Sequence, residues 1–344
     1  MDVRLSPEQR ALRESASVLV ERLCARSVHD LDDAERTRKL DAAVAGSGWR
    51  ELRAADEEGA PLTSAVEAAI VAEELGRGAA DAPLLGPTLA AELRRLAQVP
   101  AAVGQETVAL TPDLSALAEW GVPAVAIDAA GAVAALALVR ETGGYALAEV
   151  ALPAGGDAGV DLTRSFQAFG PPASSSGLDV QLLTGRLLTD ADLTRWTALG
   201  LALTSADLVG VMDGAIRLGR DYAVTRTQFG VAVGSFQAVQ HLLADALVAM
   251  EGSRSVVLYA AWAVDALPAD EALAAGAVAK AYCARAARRV CETVIQVHGG
   301  IGNTWECFAH VYLRRALASG DVLGGVGANL ERVLASRSLG LPES

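Results

Sequence analysis

From about residue 190 to the end of the chain, apolar residues return every three or four positions, which is the period of one face of an α-helix. The residues that carry this period are Leu208, Val211, Ala215, Leu218 and Tyr222, and then Phe236, Val239, Leu243 and Leu247. Long, Ala-rich helices with such apolar stripes pack side by side. This part of the chain therefore predicts an antiparallel helical bundle.

The first hundred residues also have the pattern of helices. Ser6-Pro-Glu-Gln9 is a helix start, with Ser6 as the N-cap, proline at the first helical position and Gln9 placed for a capping box. A second helix is predicted over about 34–48, a third begins near Ser64, and a fourth follows Pro87.

The middle of the chain has the pattern of strands. The short apolar runs VPAVAIDAAG, VAALALVRET and GYALAEVAL are separated by Gly, Asp and Pro turns, and GPPASSSG (170–177) reads as a surface loop. We therefore predict a mainly α fold with a small β-domain. Its parts are an N-terminal helical domain (1–104), a shortened middle β-domain (105–190) and a C-terminal four-helix bundle (191–344).

Charge and cysteine content narrow the classes of partner. The net charge of −13 makes nucleic acid a poor candidate partner. The four cysteines contain no CxxC pair and no metal-ligand spacing with the four histidines, so we expect reduced, mostly buried thiols and no metal site. The N-terminus lacks the apolar core of a signal peptide, and no uncharged apolar run reaches membrane-spanning length. We expect a cytoplasmic protein without a membrane partner.

The stretch RDYAVTRTQFGVAVGSFQAVQHLLADAL interrupts the helical period. Helix-type residues run into Arg226 and break at the Phe-Gly pair that follows, and a new helix is predicted from Ser235 with Gln237 near its start. An Arg before a Gly-containing turn, next to a helix N-terminus, supplies the donors that hold a pyrophosphate. A plain interhelical turn with a surface Arg is the alternative that the residues leave open.

The stretch VIQVHGGIGNTWECF ends another long helix. Gly299, Gly300 and Gly302 permit positive φ and let a ligand approach the backbone closely. A glycine cap of the helix explains one of these residues well and three less well. His298 beside them reads as a turn histidine rather than a catalyst.

Several short motifs resemble those of one family. RTQFG from Arg226, followed by FQAVQ from Phe236, resembles an RxxFG…FQxxQ signature, and QVHGGIG from Gln296 resembles a QxxGGxG turn. YLRRA from Tyr312 resembles a (Y/F)xRDA-like helix, and SGWREL and EAAIVAEELGRG resemble a GW…EELG region more loosely. In this order and spacing the motifs resemble the acyl-CoA dehydrogenases over nearly the whole chain. That resemblance implies the same order of helical domain, β-domain and bundle.

The resemblance implies FAD as the cofactor, an acyl-CoA substrate and an oligomer. In this family FAD lies at a subunit interface, and one subunit grips the ADP half of the FAD whose flavin ring sits in its neighbour. Carried over by position, the gripping residues here are Arg226, Phe229, Gln237, Gln296, Gly299 and Gly300. The family reaction removes the α-proton of the thioester with a carboxylate and passes the β-hydrogen to the flavin as hydride.

The chain departs from the family where the catalytic carboxylate is expected. The usual Glu lies in a glycine-flanked loop after the RDA-like helix, where this chain has Leu323 followed by two glycines. The family's other location falls near Gly200-Leu201. Asp321 or Glu306 remains as a shifted base, with a surface or capping role as the alternative, so the catalytic residue stays unassigned. The (T/S)EPxxGSD-like segment that contacts the flavin is also missing from the β-domain.

These departures resemble the partner subunit of heteromeric acyl-CoA dehydrogenases of actinobacteria, in which two unlike subunits form an α2β2 assembly. There one chain supplies the Glu and the flavin pocket, and the other completes the FAD site. The resemblance implies FAD-dependent α,β-dehydrogenation of an acyl-CoA, with a steroid-derived acyl group among the substrates. The alternatives are a self-sufficient homo-oligomer with a relocated base, a flavin monooxygenase on the same scaffold, and a non-catalytic paralogue.

Overall fold

The computed structural model describes residues 4–153, 159–170 and 180–337. Its N-terminal part consists of helices α1 (Pro7–Leu23), α2 (Ala34–Gly46), α3 (Ala65–Arg77) and α4 (Leu85–Ala97). The predicted capping box is present, because the Ser6 hydroxyl accepts the backbone N–H of Gln9 at 3.2 Å and the Ser6 N–H donates to the Gln9 side chain at 3.0 Å. Helix α3 begins near Ser64 as predicted, and the Ser64 side chain caps it.

Helix α4 corrects one boundary. It begins at Leu85, before Pro87 rather than after it. Proline is tolerated there because the N–H groups of the first helical turn have no partner within the helix.

The middle part forms one mixed sheet. Its strands are β1 (Glu106–Leu110), β2 (Ala124–Ile127), β3 (Ala134–Glu141), β4 (Gly144–Ala151), β5 (Phe166–Phe169) and β6 (Val180–Leu182). They lie in the order β5-β2-β1-β3-β4-β6, and β1 pairs with β3 in parallel whereas the other pairs are antiparallel. The three apolar runs of the sequence therefore form β2, β3 and β4.

The two faces of the sheet bury different side chains, because successive residues of a strand point to opposite sides. Val108, Leu110 and Leu136 point into the main hydrophobic core shared with the helices. Ala109 and Ala135 belong to a separate, Ala-rich cluster on the opposite face. The small side chains of that second face fit a sheet covered mainly by its own loops.

The C-terminal part is the predicted bundle. Its elements are α5 (Asp190–Thr225), a hairpin of β7 (Thr227–Gln228) and β8 (Val231–Ala232), α6 (Gln237–Ala266), α7 (Ala269–His298), α8 (Ala309–Asp321) and α9 (Val326–Ser336). Helix α6 begins at Gln237, two residues later than predicted, because a short 3-10 turn occupies Val233–Ser235.

Helix α5 is the central core helix. It crosses α3 at close range, since a methyl group at Gly210 would overlap the backbone carbonyl of Glu73. By length and composition alone α5 is apolar enough to cross a membrane, with a mean hydropathy of 1.4 over the best window, but 89% of that window is buried inside the fold. Its apolar character is thus explained by packing.

The fold class predicted from the sequence is confirmed, with helices at both ends of a small sheet. One core cluster runs through all three parts, so the domain boundaries at 104 and 190 stay a prediction. All four cysteines are buried and unpaired, as expected. The predicted GPPASSSG loop lies, after its first residue, outside the described residues.

Candidate functional site

The chain reverses direction sharply after α5. Phe229 and Gly230 form the tip of the β7–β8 hairpin, with φ of 55° and 82°. Two successive positive φ angles are what a two-residue hairpin of type I′ requires. The turn places the Phe229 ring in solvent, 92% exposed, with its only described ring neighbour, Phe236, edge-on at 6.3 Å.

Arg226 lies at the base of this hairpin. Its N–H donates to the Tyr222 carbonyl at 2.8 Å, and its own carbonyl accepts the Val233 N–H at 2.8 Å, so the backbone is fixed at both ends. The side chain is exposed, and within the described part of the chain its guanidinium makes no hydrogen bond or ion pair. The turn thus presents a positioned and uncompensated cation.

The glycine corner follows α7. Gly299 has φ of 67°, and both Gly299 and Gly300 are exposed with nothing within 4 Å of where a Cβ would lie. Gly302 differs, because a Cβ there would lie 2.7 Å from the Ile295 carbonyl. The backbone at Gly299 and Gly300 is therefore accessible to a ligand, whereas Gly302 permits close packing within the chain. Gln296 is exposed on the last turn of α7.

The structure brings the hairpin and the glycine corner together. Tyr222, one turn before Arg226, stacks on His298 with ring centroids 4.3 Å apart. His298 is buried, and its Nδ1 lies 2.8 Å from the Val294 carbonyl, which gives it a packing role. The N-terminal part of α6 packs beside α5 and α7. A Cβ at Gly219 of α5 would contact the side chains of Val294 in α7 and Leu243 in α6.

These residues fit the ADP half of FAD. Arg226 offers free donors to a pyrophosphate, and Phe229 offers an open aromatic face to a base. Helix α6 begins without a side-chain cap, which leaves N–H groups at its start for an anion, and Gln237 is exposed there. The bare backbone of Gly299 and Gly300 permits close approach.

The two places where the resemblance predicts the family's base meet inside the fold. Leu323 is fully buried with φ of 60°, and its N–H donates to the Leu114 carbonyl at 2.7 Å. A methyl group at Gly200 would overlap Cδ1 of this Leu323, and Leu89 lies beside them. Two positions 123 residues apart (323 − 200) thus form one apolar contact. Neither position holds a carboxylate, and the space between them is filled.

The two candidate shifted bases are on the surface. Asp321 is exposed at the end of α8, where its carbonyl accepts the Gly324 N–H at 2.9 Å. Glu306 is exposed in the turn before α8. A general base for a weakly acidic α-proton needs an apolar enclosure that raises its pKa, which neither position provides.

A buried ionic cluster, which sequence reasoning missed, joins α5 to α8 and to the segment before β5. Asp207 accepts Arg315 Nη2 at 2.7 Å and the Ser319 hydroxyl at 2.8 Å, and Arg164 approaches it to 3.2 Å. Burial alone would raise the pKa of Asp207, but the two guanidinium groups hold it below its usual range. The available sequence signal was Asp207 itself, a single Asp within the apolar run of α5. A carboxylate in such a run is almost never fully buried unless it is paired.

The cavity beside this cluster is small. It is lined by Thr88, Leu203 and Asp207 among others and has a volume of about 10 Å³, which accommodates one water molecule. Sites for organic ligands usually enclose roughly 300–1,000 Å³. This cavity thus has no room for an acyl chain.

Comparison with known proteins identifies the relatives of this chain. The N-terminal domain of acyl-CoA dehydrogenase matches residues 6–99, and the C-terminal domain of acyl-CoA dehydrogenase matches residues 193–338. The chain is 34% identical over 265 residues to acyl-CoA dehydrogenase IpdE2 of Mycobacterium tuberculosis, which covers 75% of this chain and 73% of that protein.

Two solved structures share the fold. The ChsE4-ChsE5 complex from Mycobacterium tuberculosis superposes with a TM-score of 0.77 at 23% identity and covers 99% of this chain and 100% of that one. A G363A variant of the Tcur3481-Tcur3483 steroid ACAD also gives a TM-score of 0.77 at 23% identity, covering 96% of this chain and 98% of that one. With its matched N- and C-terminal domains, its fold and a relative at this level of identity, the chain belongs to the FAD-dependent acyl-CoA dehydrogenase family.

Proposed function

We propose that this chain is the FAD-completing subunit of a two-chain acyl-CoA dehydrogenase whose catalytic Glu is supplied by a partner subunit. The observation that carries this proposal is the contact of Leu323 with Gly200. Both family positions for the base are apolar, buried and packed against each other. At the same time, the turn and the glycine corner that suit a dinucleotide are exposed. The chain therefore has exposed residues suited to binding FAD, but it has no carboxylate at either position for the catalytic base.

In this proposal Arg226 and the N–H groups at the start of α6 hold the pyrophosphate, and Phe229 contacts the adenine. Gly299 and Gly300 let the ligand lie against the backbone, and Gln296 and Gln237 offer amide groups to its polar edges. Held by these residues, FAD would supply the hydride acceptor for the reaction. The α-proton would go to a carboxylate of the partner subunit, since neither Gly200 nor Leu323 offers one at the family's two positions for the base.

The surface around the hairpin supports a protein partner. Large apolar side chains are exposed on the last turn of α5, on the hairpin and on the first turns of α6, namely Val224, Phe229, Leu242, Leu247 and Val248. Several large exposed apolar side chains on neighbouring elements are typical of a protein–protein interface. The related ChsE4-ChsE5 structure is itself a complex of two named components. We propose an α2β2 assembly in the cytoplasm.

The substrate proposed for the complex is an acyl-CoA thioester, with a steroid-derived acyl group as the first candidate. The support for the acyl-CoA is the family, and the support for the steroid is the similarity to the Tcur3481-Tcur3483 steroid ACAD. In this subunit the contact of Gly200 with Leu323 fills the place where the family's base would meet the acyl chain. The acyl group is therefore expected to lie in the partner.

Co-expression tests the proposal. The chain is produced alone and together with the product of the adjacent open reading frame, and the flavin content, size and acyl-CoA-dependent dye reduction of each product are measured. We expect flavin and activity only in the co-purified complex. A yellow, active product from the single chain would contradict the proposal and favour the homo-oligomer with a relocated base.

A further inference from the structure

A cleft unrelated to the dinucleotide-binding residues runs along one face of α8. Its floor is formed by residues one helical turn apart, His310, Leu313 with Arg314, and Leu317, and Val160 closes one side. Asn303 and Trp305 form its other end, and the cleft has a volume of about 370 Å³. That volume falls in the range of small-ligand sites.

His310 is the unusual residue of this cleft. It is 8% exposed, and neither ring nitrogen has a hydrogen-bond partner, although both are buried. Burial and the nearby Arg314 lower the pKa of His310, so the ring is neutral and offers one N–H donor and one acceptor. Buried polar groups without a partner are rare, and each requires an explanation.

Arg314 provides the charge. One N–H donates to the Val160 carbonyl at 3.1 Å, which fixes the guanidinium, and its carbon lies 5.6 Å from the centroid of the Trp305 ring. Among the described residues no carboxylate lines the cleft or pairs with this guanidinium. In a chain with a net charge of −13, this is a local excess of positive charge.

The remaining wall is apolar and partly movable. Leu313, Leu317 and Val160 supply aliphatic surface. Trp305 stands edge-on to His310 with centroids 5.0 Å apart and is 61% exposed, so its ring can turn without disturbing the core. Because both imidazole nitrogens are buried, a ligand would reach them only after such a movement.

We infer that this cleft binds a small amphipathic oxyanion, a carboxylate or phosphate carried on an apolar or aromatic body. The oxyanion accepts from Arg314, from the imidazole N–H of His310 and from the amide of Asn303, and the body lies on Trp305 and the leucines. This inference does not depend on the proposed function, because none of these residues belongs to the hairpin or to the glycines that face FAD.

The test titrates the purified full chain with four probes, which are phenyl phosphate, phenylacetate, benzyl alcohol and inorganic phosphate. Tryptophan fluorescence and the ¹⁵N shifts of labelled histidine are followed together. We expect saturable binding of phenyl phosphate, of phenylacetate or of both, with a shift at His310. Binding of only one of them identifies the head group. Benzyl alcohol and inorganic phosphate, which each lack one half of the ligand, should bind at least about tenfold more weakly.

Two pairs of variants locate the binding. Arg314→Gln should weaken it at least about tenfold, whereas Arg288→Gln, which removes a surface Arg paired with Glu292 on α7, should not. Leu317→Glu adds a repelling carboxylate at an exposed position and should abolish binding without unfolding the chain, whereas Leu330→Glu on α9 should have no effect. Equal binding of benzyl alcohol, unchanged binding by Leu317→Glu, or no saturable binding of any probe would overturn the inference.

Discussion

The contact of Gly200 with Leu323 predicts that Gly200→Ala destabilises the native chain but stabilises a variant in which Leu323 is replaced with alanine. In the native chain, Gly200→Ala adds a methyl group that overlaps Cδ1 of the fully buried Leu323. Overpacking of this kind costs about 1–3 kcal/mol, and replacing a helical glycine with alanine returns about 1 kcal/mol. The free energy of unfolding should therefore fall by up to about 2 kcal/mol.

Removing the leucine should reverse that effect. Leu323→Ala leaves a cavity and should lower the free energy of unfolding by about 2–5 kcal/mol. In that background the methyl group of Gly200→Ala has room, so the second substitution should raise stability by about 1 kcal/mol. The double-mutant cycle then gives a coupling energy of about 1–3 kcal/mol.

Urea unfolding of the four proteins, followed by circular dichroism, measures this cycle. Gly327→Ala is the matched control, because Gly327 lies in α9 with nothing within 4 Å of its Cβ position and should gain stability in either background. An equal effect of Gly200→Ala in the native chain and in the Leu323→Ala background would show that Gly200 and Leu323 are not in contact. The conclusion that the space between these two positions is filled would then have no support.

Three further predictions concern the bundle. Asp207→Asn leaves Arg315 buried without its counter-ion and should lower the free energy of unfolding by about 3–5 kcal/mol, as measured by urea unfolding. Burial lowers the pKa of Lys280 to about 7, so between pH 7 and the ordinary lysine range the unfolded chain binds the additional proton. The stability of the native chain relative to Lys280→Met should therefore rise with pH over that window, and an unchanged difference would refute this. Asp321→Asn should leave turnover of the assembled complex nearly intact, and a loss of several orders of magnitude would identify Asp321 as the base.

Local sequence signals predicted the local structure well. The capping box at Ser6, the helix start near Ser64 and the strands formed by short apolar runs depend on residues close together in the chain, and all were confirmed. The start of α6 was less accurate, because a 3-10 turn and an uncapped start carry no strong residue preference. Motif spacing also placed Arg226 and Gly299 at the ends of two long helices, where the structure has them.

Long-range contacts could not be predicted from the sequence. Nothing near Gly200 or Leu323 indicates that the two meet, because their contact depends on how α5 packs against the loop after α8. The partners of Asp207 come from α8 and from the segment before β5, so only its unusual place in an apolar helix was visible. The roles toward FAD of all six predicted residues likewise stay predictions, namely those of Arg226, Phe229, Gln237, Gln296, Gly299 and Gly300.

The most direct test of the shared FAD site is the Kd of FAD for the assembled complex with Arg226→Ala in this chain. A charge-assisted bond from Arg to phosphate contributes about 1.5–3 kcal/mol, so the Kd should rise by a factor of roughly 10–150 while the complex stays assembled. Arg220→Ala is the control, because Arg220 is exposed on the same helix and pairs only with its neighbour Asp221 in the described structure. A Kd that Arg226→Ala leaves unchanged would contradict the account.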